Sequence, residues 1–307
     1  MNKLVDIQTA TEIRLSKEGI RSRLENDISH DRELQEAMLN TSMAVTRWAE
    51  EHEVDVDSTI VHEATLIVLK LVSRREVIGA IAGQIAHMIE GYDTRDAIEI
   101  ACRLLVVMCD SDLFDLEEES YDDEDPETGA YISHEVVYIS NPWELSKTTE
   151  QVIEDAMYLP PMLVRPQRLT HNKQPFTLTG ENKSLILGKR NHHNGDICLD
   201  SLNIASSVAL SLNVDMLKGI KESLLVPLKL QMKLKEDPKR KEQYDRFMRD
   251  SAKVYSYLIN NGNRFYLGYK PDKRGRKYSQ GYHANVQGDT FRKCIVDLHN
   301  KEVVEGF

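Results

Sequence analysis

Apolar residues recur at helical spacing through the first hundred positions. Leu34 to Trp48 places them three and four apart, which predicts a helix with one buried stripe. Asp57-Ser58-Thr59 stands before a second such run. Ile60, Ala64, Ile67, Val68 and Leu71 form its core face, and a short polar side chain is expected to cap its first turn. Val77 to Ile89 follows, where Gly79, Ala80, Ala82 and Gly83 are small enough to predict close helix packing. Asp93-Thr94-Arg95-Asp96 is the start signal of a further helix through Ala97, Ile100, Ala101, Leu104 and Leu105. A polar helix is expected to start at Thr11, so residues 5–109 read as successive helices without a fixed repeat.

The pattern then changes. Leu113 to Leu116 and Glu135 to Ile139 read as strands, with an acidic run over residues 110–127. Blocks of like charge repel themselves and stay solvated, so Glu117-Glu118-Glu119 and Asp122 to Asp125 are expected at the tip of a long hairpin, about 110–140. A calcium loop does not fit, because the third ligand and the turn glycine are missing after Asp110-Ser111-Asp112. Pro160, Pro161, Pro166 and Pro175 predict an extended crossing segment. Asp200 to Leu212 reads as helical. Met216 to Ile259 reads as two long helices broken near Pro238, carrying Lys233, Lys235, Lys239, Arg240 and Lys241. From Phe265 the pattern becomes strand-like, with Phe265, Leu267 and Tyr269 on one side. The expected fold is mainly α, in the α+β class, with its small β portion near the C-terminus.

Charge divides the chain. Residues 1–150 carry 13 Lys and Arg against 33 Asp and Glu; residues 151–307 carry 26 against 17. The basic half points to a polyanionic partner. The four cysteines, Cys102, Cys109, Cys198 and Cys294, form no C-x-x-C pair, which argues against a zinc site or disulfide framework and fits a reducing cytoplasm. No apolar run reaches membrane-spanning length, so a soluble protein without a membrane partner is expected. The sequence has no phosphate-binding Gly-rich Lys-Ser/Thr loop, no G-x-S-x-G and no H-E-x-x-H. His192-His193 with Asp196 sits in a turn-like Asn/Gly setting and reads as a turn rather than a metal site. Asp297 reads as a surface carboxylate, since a two-metal centre needs a second convergent acid.

One stretch carries a specific signal: Asp272-Lys273-Arg274-Gly275-Arg276-Lys277-Tyr278, followed by Asn285-Val286-Gln287-Gly288. Glycine permits positive φ or a close backbone approach. Arg274 and Arg276 offer planar, permanently charged forks that match phosphate. Asp272 can orient a fork, Lys277 adds charge, and Tyr278 offers a ring face to a sugar or base.

These residues resemble the D-x-R-G-R-x-Y box and the N-x-Q-G that follows it at the start of the palm in single-subunit phage and mitochondrial RNA polymerases. Two upstream stretches are similar in the same order. Pro161-Met162-Leu163-Val164-Arg165-Pro166 resembles the segment closing the N-terminal domain. Leu202-Asn203-Ile204-Ala205, with Ala209, Asn213 and Leu217, resembles the helix entering the thumb. The resemblance implies a helical N-terminal domain with a hairpin (1–160), a connector (161–213), a helical thumb (214–262) and the first strands of a right-hand palm (263–307). Family members continue into the rest of the palm and the fingers, with two metal-binding aspartates. The resemblance therefore implies the N-terminal subunit of a split, heterodimeric phage RNA polymerase in the host bacterial cytoplasm. Its partner subunit would carry the aspartates that bind Mg2+. This chain would supply no catalytic residue and no metal ligand. It would hold template DNA and nascent RNA through Asp272, Arg274, Gly275, Arg276, Lys277, Tyr278, Lys233, Lys235, Lys239 and Arg240. In the family a hairpin near the acidic run opens promoter DNA; its acids would repel phosphate, which implies a single-stranded or pre-melted template and a single-stranded-DNA-binding helper. The alternative is a non-enzymatic, helical nucleic-acid-binding regulator of transcription.

Overall fold

The computed structural model describes residues 3–71, 75–124, 131–188, 190–220 and 237–301. It is 51% helical and 14% strand, with small antiparallel sheets, which places the chain in the α+β class. Among the described residues no helix is long and apolar enough to cross a membrane. The chain forms two compact units, residues 17–153 and residues 1–16 with 154–307.

The 17–153 unit is built from α2 (Lys17–His30), α3 (Arg32–Glu51), α4 (Ser58–Leu69), α5 (Ile78–Ile85) and α6 (Thr94–Asp110), after α1 (Lys3–Arg14) has gone to the other unit. The expected caps form. Asp57 accepts from the amides of Thr59 and Ile60 at 2.9 and 3.1 Å, and Asp93 from those of Arg95 and Asp96 at 2.8 and 2.9 Å. Each such cap contributes about 1 kcal/mol. On α6, Ala97, Ala101, Leu104, Leu105 and Met108 are buried at the predicted spacing. Each large side chain among them stabilises the unit by about 1.5–3 kcal/mol on burial. The small residues of α5 behave differently from expectation. A Cβ on Gly79 or Gly83 would meet nothing within 4 Å, and only Ala82 is buried against the core.

A three-stranded sheet completes this unit, in the order β1 (Glu76–Val77), β3 (Tyr131–Ser140), β2 (Asp115–Glu124). Glu117 to Glu119 and Asp122 lie along strand β2 rather than at a solvated tip; residues 125–130 fall outside the described residues. The register shows why a strand tolerates them. Glu117, Glu118, Glu119 and Asp122 face Tyr138, Val137, Val136 and Ser133, so no acid stands opposite another across the ladder. Successive side chains take opposite faces. Arg75 reaches Glu117 at 3.1 Å, also binds Glu119 on the same face, and lies 4.4 Å from the Tyr138 ring centre.

α7 (Lys147–Met157) leads into the second unit. The predicted start of a polar helix at Thr11 is displaced: α1 already spans Lys3–Arg14. Gln8 of α1 is buried. Its amide oxygen accepts from the Leu163 amide at 2.8 Å, and its nitrogen donates to Glu12 at 2.7 Å. The proline-bearing stretch 158–180 is extended and turn-rich, as expected. The single helix expected over 200–212 is instead α8 (Leu199–Ser206) and then strand β4 (Leu210–Leu212), whose Leu-Ser-Leu alternation buries both leucines. There follow α9 (Val214–Ile220), α10 (Pro238–Asn260), the hairpin β5 (Gly268–Pro271) and β6 (Lys277–Gln280), α11 (Thr290–Cys294) and β7 (Val296–Leu298), which pairs with β4. The second of the two helices expected over 216–259 begins at Pro238, as read, and residues 221–236 of the first fall outside the described residues. Pro238 follows the cap Asp237, where its missing N–H is harmless. Phe265, Leu267, Leu163, Leu202 and Leu258 form the heart of this core.

Candidate nucleic-acid interface

The box is the β5–β6 turn. The register pairs Lys270 with Tyr278 and Pro271 with Lys277, leaving residues 272–276 to reverse the chain. The Asp272 amide donates to the Arg276 carbonyl at 2.9 Å and the Gly275 amide to the Asp272 carbonyl at 3.0 Å. Gly275 has φ +81°, a conformation glycine adopts without strain.

Asp272 organises the turn. One carboxylate oxygen accepts from the amides of Arg274 and Arg276 at 2.9 and 3.0 Å. The other accepts from Arg274 Nε at 3.3 Å, and from Arg276 Nε and Nη2 at 2.9 and 2.8 Å. Tyr278 Oη donates to the same oxygen at 3.4 Å. Desolvation alone would raise the Asp272 pKa. The Arg276 amide and guanidinium outweigh it and hold the carboxyl below its ordinary value. The Asp272 side chain is 17% exposed, whereas those of Arg274 and Arg276 are 65% and 54% exposed. Ion pairs this exposed stabilise a fold little. Their consequence is geometric: one acid aims two guanidinium groups, each with N–H donors to spare.

The second motif clamps the first. Gln287 accepts from the Ser279 amide at 2.7 Å and donates to the Lys277 carbonyl at 3.0 Å, acting on β6 as a neighbouring strand would. Asn285 Oδ1 accepts from Ser279 Oγ at 2.6 Å and from the Gln287 amide at 2.7 Å. Lys277 turns to α8 and donates to Ser201 Oγ at 3.1 Å.

The structure thus brings Asp272, Arg274, Gly275, Arg276 and Tyr278 together and ties Lys277 to a helix. It does not join Arg240 to them. Arg240 lies in the first turn of α10, its amide on the cap Asp237 at 3.1 Å and its Nε 3.9 Å from the same carboxylate. Lys239 is in the same turn; Lys233 and Lys235 fall outside the described residues. No motif marks Lys270, whose ammonium burial pushes below its ordinary pKa, with Lys183 acting in the same sense. Lys270 lines a hollow of about 410 Å³ with Tyr158, Phe176, Tyr266 and Tyr282. A Cβ on Gly268 would fall 2.3 Å from the Phe176 ring, so β5 passes there only as glycine.

Both ring nitrogens of His192 are engaged, by Ser184 Oγ and Asn194 Oδ1 at 3.1 Å each, and Asp297 pairs with Lys301 at 2.8 Å. Among the described residues no three His, Cys, Asp or Glu side chains converge as a metal site. The box presents cations and N–H donors, a set suited to phosphate rather than to Mg2+. No protein-family model and no curated protein matches this chain.

Proposed function

We propose that this chain is the N-terminal subunit of a heterodimeric, single-subunit-type DNA-directed RNA polymerase of a bacteriophage, and that it holds template DNA and the RNA–DNA hybrid. A second polypeptide carries the rest of the palm, the fingers and the Mg2+-binding aspartates; the enzyme works in the host cytoplasm and this chain alone is inactive. The observation that carries the reading is the Asp272-organised turn. Two exposed guanidinium groups are aimed by one acid, on a hairpin pinned by the Asn285 and Gln287 that complete the family-like motif. The charge division supports it. The unit containing the box has 28 Lys and Arg against 19 Asp and Glu, and the other has 11 against 31. Arg274, Arg276 and the basic residues Lys233, Lys235, Lys239 and Arg240 grip backbone phosphate without reading sequence.

The test is affinity capture of the chain from its native source, with mass spectrometry of what accompanies it, followed by reconstitution. An aspartate-bearing partner and template-dependent RNA synthesis only when both are mixed are expected. RNA synthesis by the purified chain alone would defeat the subunit reading. Nucleic-acid binding with no polymerase partner would favour the regulator.

A further inference from the structure

A second cleft, of about 550 Å³, lies between the Arg165–Arg168 segment and α8 and is lined by both arginines, Asn203, Ile204 and Ser206. Its backbone is fixed. Asn203 holds Leu169 in both directions, accepting from its amide at 2.8 Å and donating to its carbonyl at 2.9 Å. The Gln167 amide donates to the Phe176 carbonyl at 2.9 Å, and the Arg168 carbonyl accepts from Gln174 at 2.9 Å. Pro166 fixes a further dihedral. The side chains of the two arginines, by contrast, are exposed and make no hydrogen bond or ion pair among the described residues. Ser206 is 5% exposed, and its buried hydroxyl has no partner among the described residues. Ile204 is 68% exposed on the same wall. A rigid frame therefore carries two uncommitted forks, an unpaired hydroxyl and an apolar patch.

The cleft adjoins the box. Lys277 reaches Ser201 on α8, next to Asp200, which also lines the cleft. An eight-residue helix is about 12 Å long. Lys277 at the edge of the box and Asp200, Asn203, Ile204 and Ser206 of the cleft therefore meet on one short helix, where a single strand can touch both.

We propose that this cleft is a second nucleic-acid contact, in which Arg165 and Arg168 each take a backbone phosphate of the strand held at the box and Ile204 packs against the sugars between them. The inference rests on the nucleic-acid reading of the box. Asp200 is the cleft's one acid, and it opposes the bound strand.

The test is fluorescence anisotropy of the full chain with labelled single-stranded DNA of four and of sixteen nucleotides, across a salt series. Arg165→Ala/Arg168→Ala should weaken sixteen-nucleotide binding roughly tenfold at about 0.1 M salt and make the log K against log salt slope shallower by about 1.4, at 0.7 per phosphate lost. Its effect on the four-nucleotide strand should be smaller, and Asp200→Asn should tighten the longer strand. Loss on Arg274→Ala/Arg276→Ala but not on Arg165→Ala/Arg168→Ala overturns the cleft proposal and leaves the box reading standing. No loss in either variant defeats the nucleic-acid reading itself. Unchanged DNA binding with loss of a co-purifying polypeptide makes the cleft a protein-docking site and also overturns the proposal. All exposed-site variants should melt with the parent, which separates these outcomes from misfolding.

Discussion

Two antiparallel hairpins, one in each unit, use opposite charge in the same way. The β2–β3 hairpin, residues 115–140, carries ten acids and no Lys or Arg of its own. A single outside cation, Arg75, gathers Glu117 and Glu119. The β5–β6 hairpin, residues 268–280, carries five basic residues and one acid, and that acid gathers two arginines. In each case the lone counter-charge cannot neutralise the surface. It fixes where the surplus points. The difference lies in sign: the field of the second hairpin attracts anions and that of the first repels them.

The largest effect should come from removing the surplus. Arg274→Ala/Arg276→Ala is expected to weaken binding of single-stranded template roughly tenfold or more at about 0.1 M salt, with a correspondingly shallower salt slope. The melting temperature should stay within a degree or two, because both side chains are more than half exposed. A lowered melting temperature with unchanged binding would make the arginines structural.

A smaller effect separates aim from charge. Asp272→Asn raises the net charge of the turn, so charge counting predicts tighter binding. Loss of aim predicts the reverse, and we expect binding several-fold weaker, with the turn's amide signals broadened in NMR spectra. The pH dependence has a definite sign. The Asp272 pKa is depressed in the folded chain, so its contribution is present above the ordinary carboxylate value and is lost as pH falls through the lowered one. Tighter binding by the Asn variant would show that aim is irrelevant.

The acidic hairpin gives the third test. Glu118→Ser/Asp122→Ser/Asp123→Ser removes acids outside the Arg75 pairs, and duplex affinity should rise a few-fold, mostly at low salt. Adding Glu117→Ser and Glu119→Ser releases Arg75 and should raise it further. On the proposed subunit reading, neither variant should confer promoter specificity, and the chain assembled with its proposed partner should use pre-melted template better than closed duplex. Efficient, specific initiation on closed linear duplex by the two subunits alone would refute that role.

Much of this was legible in the sequence, for reasons that are local. The caps Asp57 and Asp93 and the α6 stripe depend on neighbours within one turn, and these appeared as read. The turn at Gly275 is equally local, since Asp272 binds residues two and four ahead of it. What misled was context. Glu117 to Glu119 look like loop because like charges repel, yet a strand places alternate acids on opposite faces and the facing residues are neutral. Leu210-Ser211-Leu212 continues a helical pattern on paper, but pairing with distant Val296 to Leu298 makes it a strand. Gln287 was visible as a motif position, but its role as a substitute strand depends on a fold that brings it beside Ser279. Arg165 was visible only as a position in the proline-rich match and Arg168 not at all, because a cleft exists only once α8 packs there.

The smallest effect bears on the turn that the comparison depends on. Gly275 sits at φ +81°, and a Cβ there would meet nothing within 4 Å. Sterics with neighbours therefore play no part, and Gly275→Ala isolates the backbone. An alanine in this left-handed region costs about 1 kcal/mol, partly offset by the smaller entropy of its unfolded chain. Unit stability should fall by about 1 kcal/mol or less, and Gly275→Asn should fall less, since asparagine tolerates the region. If the turn relaxes toward negative φ instead, the Arg274 and Arg276 amides leave Asp272 Oδ1, and template binding drops as in Asp272→Asn while stability hardly moves. Urea melts and anisotropy on the same variant distinguish the two. Loss of stability with full binding would mean that the box tolerates strain without losing its aim. An unchanged melt with full binding would mean that the positive φ is not required for either.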